Sequence, residues 1–280
     1  ATVVNDAGIE FAASTVRGAL TATATTGDIT DSGTLTITGA SIFTTKVGGS
    51  NIVLDSSGNA FAAAVTMKAD ADGDETFGNI TFVDSAAVKL HSSAGTNGDL
   101  FIDAGTDLAV GGNLSITATT GNITQGSEVA VGGTTTLVTS ANEATITLND
   151  ADNAFTGALT ITTNDNAGTD AHVIIDGGTT ALIIAASTIV GDLTLTSGAT
   201  AGITDSGTVT VGGDLAATTD AGNGVIDMDT LAVDGSIALV TEGNGAAIVV
   251  NDAAIEFAAS TVRGALTATA TTGDITDSGT

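Results

Sequence analysis

Short runs in which apolar and polar residues alternate recur along the whole chain: TLTITG, NIVLD, NITFVD, DLFIDA, NLSITA, ATITLND, ALTITT, HVIIDG, DLTLTS, TVTVGG and AIVVND. A period of two in Thr, Val and Ile predicts strands with one face turned inward. Between the runs sit the clusters TTGD, GGS, SSGN, DADGD, GTNGD, NDADN, DGG and EGNG, where Gly, Asn and Asp provide the backbone angles that sharp corners need. Strands spaced about 8–12 residues apart fit a sandwich, a barrel or a solenoid. One segment, NAFAAAVTMKADAD over Asn59–Asp72, has the Ala content of a short helix. Its counterpart from Asn153, NAFTGALTITTNDN, is Thr-rich and alternating, so strand is the expectation for both.

Self-similarity chooses among the three architectures. Residues 1–34 return as residues 247–280, with only Thr2/Ile248 and Gly8/Ala254 differing. A near-identical copy of that length points to duplication within a gene, so residues 1–246 read as one period and 247–280 as the start of the next. Weaker copies lie inside the period. VRGALTATATTGDITDSGT returns as VGGNLSITATTGNITQGS from Val110 and as IVGDLTLTSGATAGITDSGT from Ile189, aligning Leu20, Leu114, Leu193 and Leu266 at spacings of 94, 79 and 73. The 15-residue surplus of the first spacing falls in AGTNGDLFIDAGTDLA and reads as one extra strand and turn. A closed barrel or sandwich cannot restart its sequence without starting a new domain, whereas a solenoid can. The expectation is an all-β parallel β-helix, two to three short strands per coil, continuous over residues 1–280. Coils of roughly 19–29 residues would give about 9–13 coils per period and a rise on the order of 40–65 Å.

Composition adds constraints. The chain has 37 Gly, no Pro, no Cys, no Trp, no Tyr and 8 Phe. No Pro suits strands that donate N–H groups to a neighbour, and little aromatic bulk suits a narrow interior. No Cys excludes disulfides, thiolate nucleophiles and Cys-based metal sites. With 5 cationic and 32 acidic residues the formal charge is −27, which disfavours nucleic acid and anionic membrane surfaces as partners. No apolar run approaches the ~20 residues of a membrane-spanning helix. The first residue is Ala, so a processed form or an excerpt is expected.

The most site-like stretch is Asp70, Asp72, Asp74 and Glu75, alternating carboxylates around Gly73 that could offer several oxygens to Ca²⁺. It lacks the glutamate at the twelfth position of a calcium loop, and a solvated acidic turn is the simpler reading. Weaker candidates are Asp150 with Asp152, Asp165 with Asp170, and Asp227 with Asp229. No cofactor is required. The VGG phrases lack the Gly-Lys-Ser/Thr ending of a phosphate loop and read as corners. His91 and His172 lie 81 positions apart in strand-like runs, and a catalytic role is not expected of either. Thr pairs such as Thr21/Thr23, Thr36/Thr38, Thr160/Thr162 and Thr194/Thr196 look like an ice-binding face but recur irregularly, so they read as outward strand formers. Asn79, Asn113 and Asn122 stand in Asn-x-Ser/Thr sequons.

The phrases GGNLSITATTGNIT and GDLTLTS…GITDSGTVTVGGD resemble the β-strand repeats of filamentous-haemagglutinin-like and other very large bacterial surface proteins. The resemblance spans nearly the whole chain and implies a right-handed β-helical stalk displayed outside the cell; it brings no functional residues with it. The functional expectation is therefore mechanical: an interior repeat of an extracellular fibre or stalk. Its partners would be neighbouring copies end to end, covalent or stacked, with lateral contacts bridged by cations. An adhesin face that binds a surface or glycan is the alternative, and a polysaccharide-active β-helix enzyme a second. An enzyme is not expected, because Tyr and Trp are missing and only Arg17, Lys46, Lys68, Lys89 and Arg263 supply cations.

Overall fold

The computed structural model describes residues 1–69, 77–91, 99–102, 108–166, 168 and 170–279. Among these residues there are 34 strands and no helix, and the strands stack in parallel as a β-solenoid of about 11 turns. The alternation in the sequence is the cause. In Leu20–Ala24, Leu114–Ala118, Thr135–Thr139 and Leu193–Ser197 every second side chain is buried and those between are half-buried. The Ala-rich segment resolves in the same way, as strands Ala60–Phe61 and Val65–Ala69. The chain divides into two compact units, residues 1–140 and 141–280.

In the first unit one sheet stacks Thr2–Asn5, Leu20–Ala24, Ser41–Thr45, Val65–Ala69, Asp99–Ile102, Val88–His91 and Ile123–Gln125. A second stacks Ile9–Phe11, Ile29–Asp31, Ile52–Leu54, Ile80–Asp84, Leu114–Ala118 and Thr135–Thr139. Shorter ladders join Ser14–Val16, Leu35–Ile37 and Ala60–Phe61, and separately Leu108–Val110 with Val129–Val131. Outside the surplus segment the coil length runs from 19 residues (Thr2 over Thr21) to 28 (Ile52 over Ile80), inside the expected range. Across the surplus it rises to 34 (Ile80 to Leu114) and 35 (Val88 to Ile123).

The predicted extra strand is Asp99–Ile102, and it enters the ladder out of chain order, pairing with both Val65–Ala69 and Val88–His91. The alternation does not foretell the result. Leu20–Ala24 and its sequence counterpart Leu114–Ala118 lie in different sheets. The ladder accepts either placement because any alternating strand presents the same inward pattern.

In the second unit one sheet holds Ile146–Leu148, Val173–Asp176, Leu193–Ser197, Leu215–Gly222, Ser236–Glu242, Ile255–Phe257 and Ile275–Asp277. The other contains Leu159–Thr162, Leu182–Ile184, Ile203–Asp205 and the long strand Ile226–Val233, followed by Ala247–Asn251 and Leu266–Ala270. Ile226–Val233 runs along both Ile203–Asp205 and Val209–Val211, so a corner in one turn becomes a continuous strand in the next.

The interior is thin and aliphatic, and one aromatic column runs through the first unit. Phe11 meets Phe43 edge to face at 6.2 Å, Phe43 meets Phe61 likewise at 6.2 Å, and Phe61 meets Phe82 at 5.1 Å. Ala22, which pairs with Phe43, is the small inward residue of the turn between Phe11 and Phe43.

Candidate functional site

The four residues proposed for Ca²⁺, Asp70, Asp72, Asp74 and Glu75, lie outside the described residues. Among the described residues no group of three or more His, Asp or Glu is placed to hold a metal ion, and no helix is long and apolar enough to cross a membrane. Two of the weaker acidic pairs are local turn structures. Asp150 accepts a hydrogen bond from the Asp152 backbone N–H at 3.0 Å, and Asp165 from that of Asp170 at 3.5 Å. Asp227 and Asp229 sit on Ile226–Val233, where the Asp229 N–H donates to Asp205 at 3.2 Å. His91 ends the strand Val88–His91. His172 stands at a corner: its Nδ1 accepts from the Asp192 N–H at 2.9 Å and lies 3.3 Å from the Asp192 carboxylate.

The threonine columns are broken, as the irregular spacing implied. Stacked outward positions read Thr2, Thr21, Ile42 and Thr66 in one column, and Val4, Thr23, Thr44 and Lys68 in the next.

What the structure does bring together is a set of side chains at the corners, each accepting a hydrogen bond from the backbone of the following turn. In the first unit Asp28 accepts from the Asn51 N–H at 2.7 Å, Asn51 from Asn79 at 2.9 Å, Asn79 from Asn113 at 2.8 Å and Asn113 from Thr134 at 2.8 Å. In the second unit His172 accepts from Asp192, Asp192 from Asp214 at 2.8 Å and Asp214 from Ser236 at 2.7 Å. Each rung satisfies a corner N–H that the strand ladders leave over. Asn79 and Asn113, two of the sequon residues, are rungs.

The signal for these ladders lies in phrases that read, from sequence alone, only as corners. A Gly precedes the rung residue in Gly27-Asp28, Gly78-Asn79, Gly112-Asn113, Gly191-Asp192 and Gly213-Asp214. Glycine is required because the turns approach closely: a Cβ on Gly213 would lie 2.2 Å from Asp192 Oδ1. The Gly213 N–H bonds to the Gly191 carbonyl at 3.1 Å and that of Gly235 to Gly213 at 3.1 Å, a backbone ladder beside the side-chain one.

Buried threonines form a second set that sequence reasoning missed by treating Thr as an outward residue. Thr45, Thr163, Thr219 and Thr241 point inward and donate to the carbonyls of Ser50, Ala171, Gly224 and Gly245 at 3.2, 3.3, 3.0 and 2.8 Å. Each ties the end of a strand to the corner that follows it.

Two carboxyls are perturbed. Burial pushes Asp84 above the ordinary carboxylate range, opposed by backbone N–H groups of Phe61, Ala86 and Ser85. Asp176 is raised first by burial and then by the charges of Asp220 and Asp150, against a hydrogen bond from the Gly178 N–H. Both groups are built into the corners, and their chemistry is that of acceptors for backbone donors.

A model of a repeat family matches residues 1–68, 94–162 and 244–280, more than half of the chain; the family is described as repeats of unknown function (DUF5649). No curated protein and no solved structure matches the chain.

Proposed function

Since the chain belongs to this family of repeats of unknown function, we propose that it is a structural element of an extracellular fibre or stalk, one period of a much longer repeated solenoid. The observation that carries this reading is the restart of the 34-residue opening sequence at residue 247 in a fold whose strands all pair in parallel. A stack of turns has no required length, so a sequence that begins again extends the same ladders. Stiffness then comes from backbone hydrogen bonds and corner rungs running along the stack. The resemblance of GGNLSITATTGNIT to the repeats of large surface proteins supports a place outside the cell.

Electron microscopy of chains carrying two, three and four 246-residue periods tests the proposal. The expected result is a rod that lengthens by about 40–65 Å with each period. Separate globular beads joined by flexible links would overturn it.

A further inference from the structure

The corner ladders of the two units do the same work with different side chains. In the first unit the rungs after Asp28 are Asn51, Asn79 and Asn113, and in the second unit the rungs after His172 are Asp192 and Asp214; each accepts a backbone N–H of the next turn at 2.7–2.9 Å. A carboxylate fills that role at least as well, because a charged acceptor makes the stronger bond. Rung geometry therefore does not ask for asparagine. What the amides change is the surface: they add no charge, and each brings an Nδ2 donor. That of Asn51 lies 3.5 Å from Asp28, and those of Asn79 and Asn113 have no partner among the described residues.

The strands that leave this corner continue the neutrality. Outward positions on Ile52–Leu54, Ile80–Asp84, Leu114–Ala118 and Thr135–Thr139 read Val53, Thr81, Ser115 and Thr136 in one column, with Thr117 and Val138 in the next. The one acid on these four strands, Asp84, is 2% exposed. The hydroxyls of Thr81, Ser115, Thr117 and Thr136 make no hydrogen bond among the described residues. In a chain of formal charge −27, four successive turns thus present amides, hydroxyls and methyls without a charge. In the second unit the stacked outward residues Thr194 with Ala216 and Thr196 with Thr218 are also uncharged, but Asp192 and Asp214 border them.

We propose that this face of the first unit binds a neutral polysaccharide. An uncharged, hydroxyl-rich chain meets free donors and acceptors here and is not repelled, whereas an acidic polymer is repelled by the chain as a whole and a basic partner is drawn to the acidic corners. A second copy of the protein is the competing occupant. Four turns at about 4.8 Å and five residues at about 3.3 Å give roughly 320 Å², or about 640 Å² summed over two copies, well short of the ~1,200 Å² of a stable dimer. The chain has no Tyr or Trp to stack on a sugar ring, so each contact is weak, and a polymer that makes many contacts at once is the fitting ligand. This binding needs only a single chain and does not rest on the fibre reading.

The test is native gel electrophoresis of the full chain through gels containing dextran, mannan or a β-1,3-glucan, with polygalacturonate as the acidic control. The expected result is retardation by at least one neutral polymer and none by polygalacturonate. The dissociation constant should rise about tenfold or more in Asn113→Asp/Thr117→Asp, which keeps the rung, and in Thr136→Lys, which adds the opposite charge. Thr218→Asp, on the acid-bordered face of the second unit, should leave retardation unchanged. No retardation by any of the three neutral polymers, or an equal loss in Thr218→Asp, would overturn the proposal. A dimer in sedimentation in place of polymer binding, dissolved by Asn113→Asp/Thr117→Asp, would also overturn it and assign the face to a second copy.

Discussion

At the scale of single residues, the inward-facing polar side chains divide into those that hold a partner and those that do not. Thr45, Thr163, Thr219 and Thr241 hold corner carbonyls. The hydroxyls of Ser41 and Thr135 are buried and make no hydrogen bond. An unmade bond of that kind costs about 1–3 kcal/mol, so Thr135→Val, which keeps the shape, is expected to stabilise the protein by about 1 kcal/mol in urea unfolding. Thr241→Val, by contrast, is expected to destabilise by about 1–2 kcal/mol, since it leaves the Arg263 N–H without its acceptor and takes one of two donors from the Gly245 carbonyl. Asp176 makes stability depend on pH. Its folded pKa lies above the ordinary value of 3.8, so on acidification the folded state takes up the proton first. Its contribution to stability therefore rises as pH falls through the folded pKa and levels off below 3.8. The urea midpoint should increase from neutral pH toward that value, and Asp176→Asn should be more stable at neutral pH with a flatter profile. An unchanged profile in the variant would contradict the assignment.

At the scale of strands and corners, the turns are held in register by contacts that a side chain or an added Cβ would break. Asn79 is a rung twice over: its N–H donates to Asn51 and its Oδ1 accepts from Asn113. Asn79→Ala removes the acceptor and is expected to cost about 1 kcal/mol, while Asn79→Asp, which keeps it, should cost less. Gly202 has φ of +70° and a Cβ there would lie 1.8 Å from the Val225 carbonyl oxygen of the next turn. Gly202→Ala is therefore expected to lower stability by more than about 2 kcal/mol in the same unfolding measurement. The strand alternation was legible in sequence because burial on one face imposes a period of two on the residues themselves. The corner ladders were legible only in part. The Gly-Asx pairs are visible, but the rungs lie 34 residues apart from Asn79 to Asn113 and 22 from Asp192 to Asp214, so no fixed spacing announces them.

At the scale of the whole chain, the fold leaves a large excess of negative charge uncompensated. Five cations face 32 acidic residues, and Arg263 meets Glu242 at 3.3 Å in a half-exposed pair that contributes little. Outward aspartates recur on successive turns, as Asp192 and Asp214 do, so like charges are stacked along the ladders. Self-repulsion of this kind is screened by salt over a Debye length of about 10 Å at 0.1 M. Raising monovalent salt from about 10 to about 150 mM is expected to raise the melting temperature by several degrees, as followed by circular dichroism. A melting temperature that fell or stayed constant would show that the repulsion is already relieved by the way the acids are spaced. In a filament the same charge would hold neighbours apart until cations bridged them.

The sequence by itself determined the strand type, the absence of helix in the described residues, the coil length and the extra strand, because each is written in local alternation, turn residues and repeat spacing. Only the tertiary structure decided which sheet each strand joins. Leu20–Ala24 and Leu114–Ala118 read alike, yet they lie in different sheets, since the inward pattern of a strand does not record which face it lies on. The tertiary structure also decided that Asn79, Asn113 and Asp214 are rungs. These are properties of what lies one turn away, and a residue carries no local mark of its neighbour across the stack.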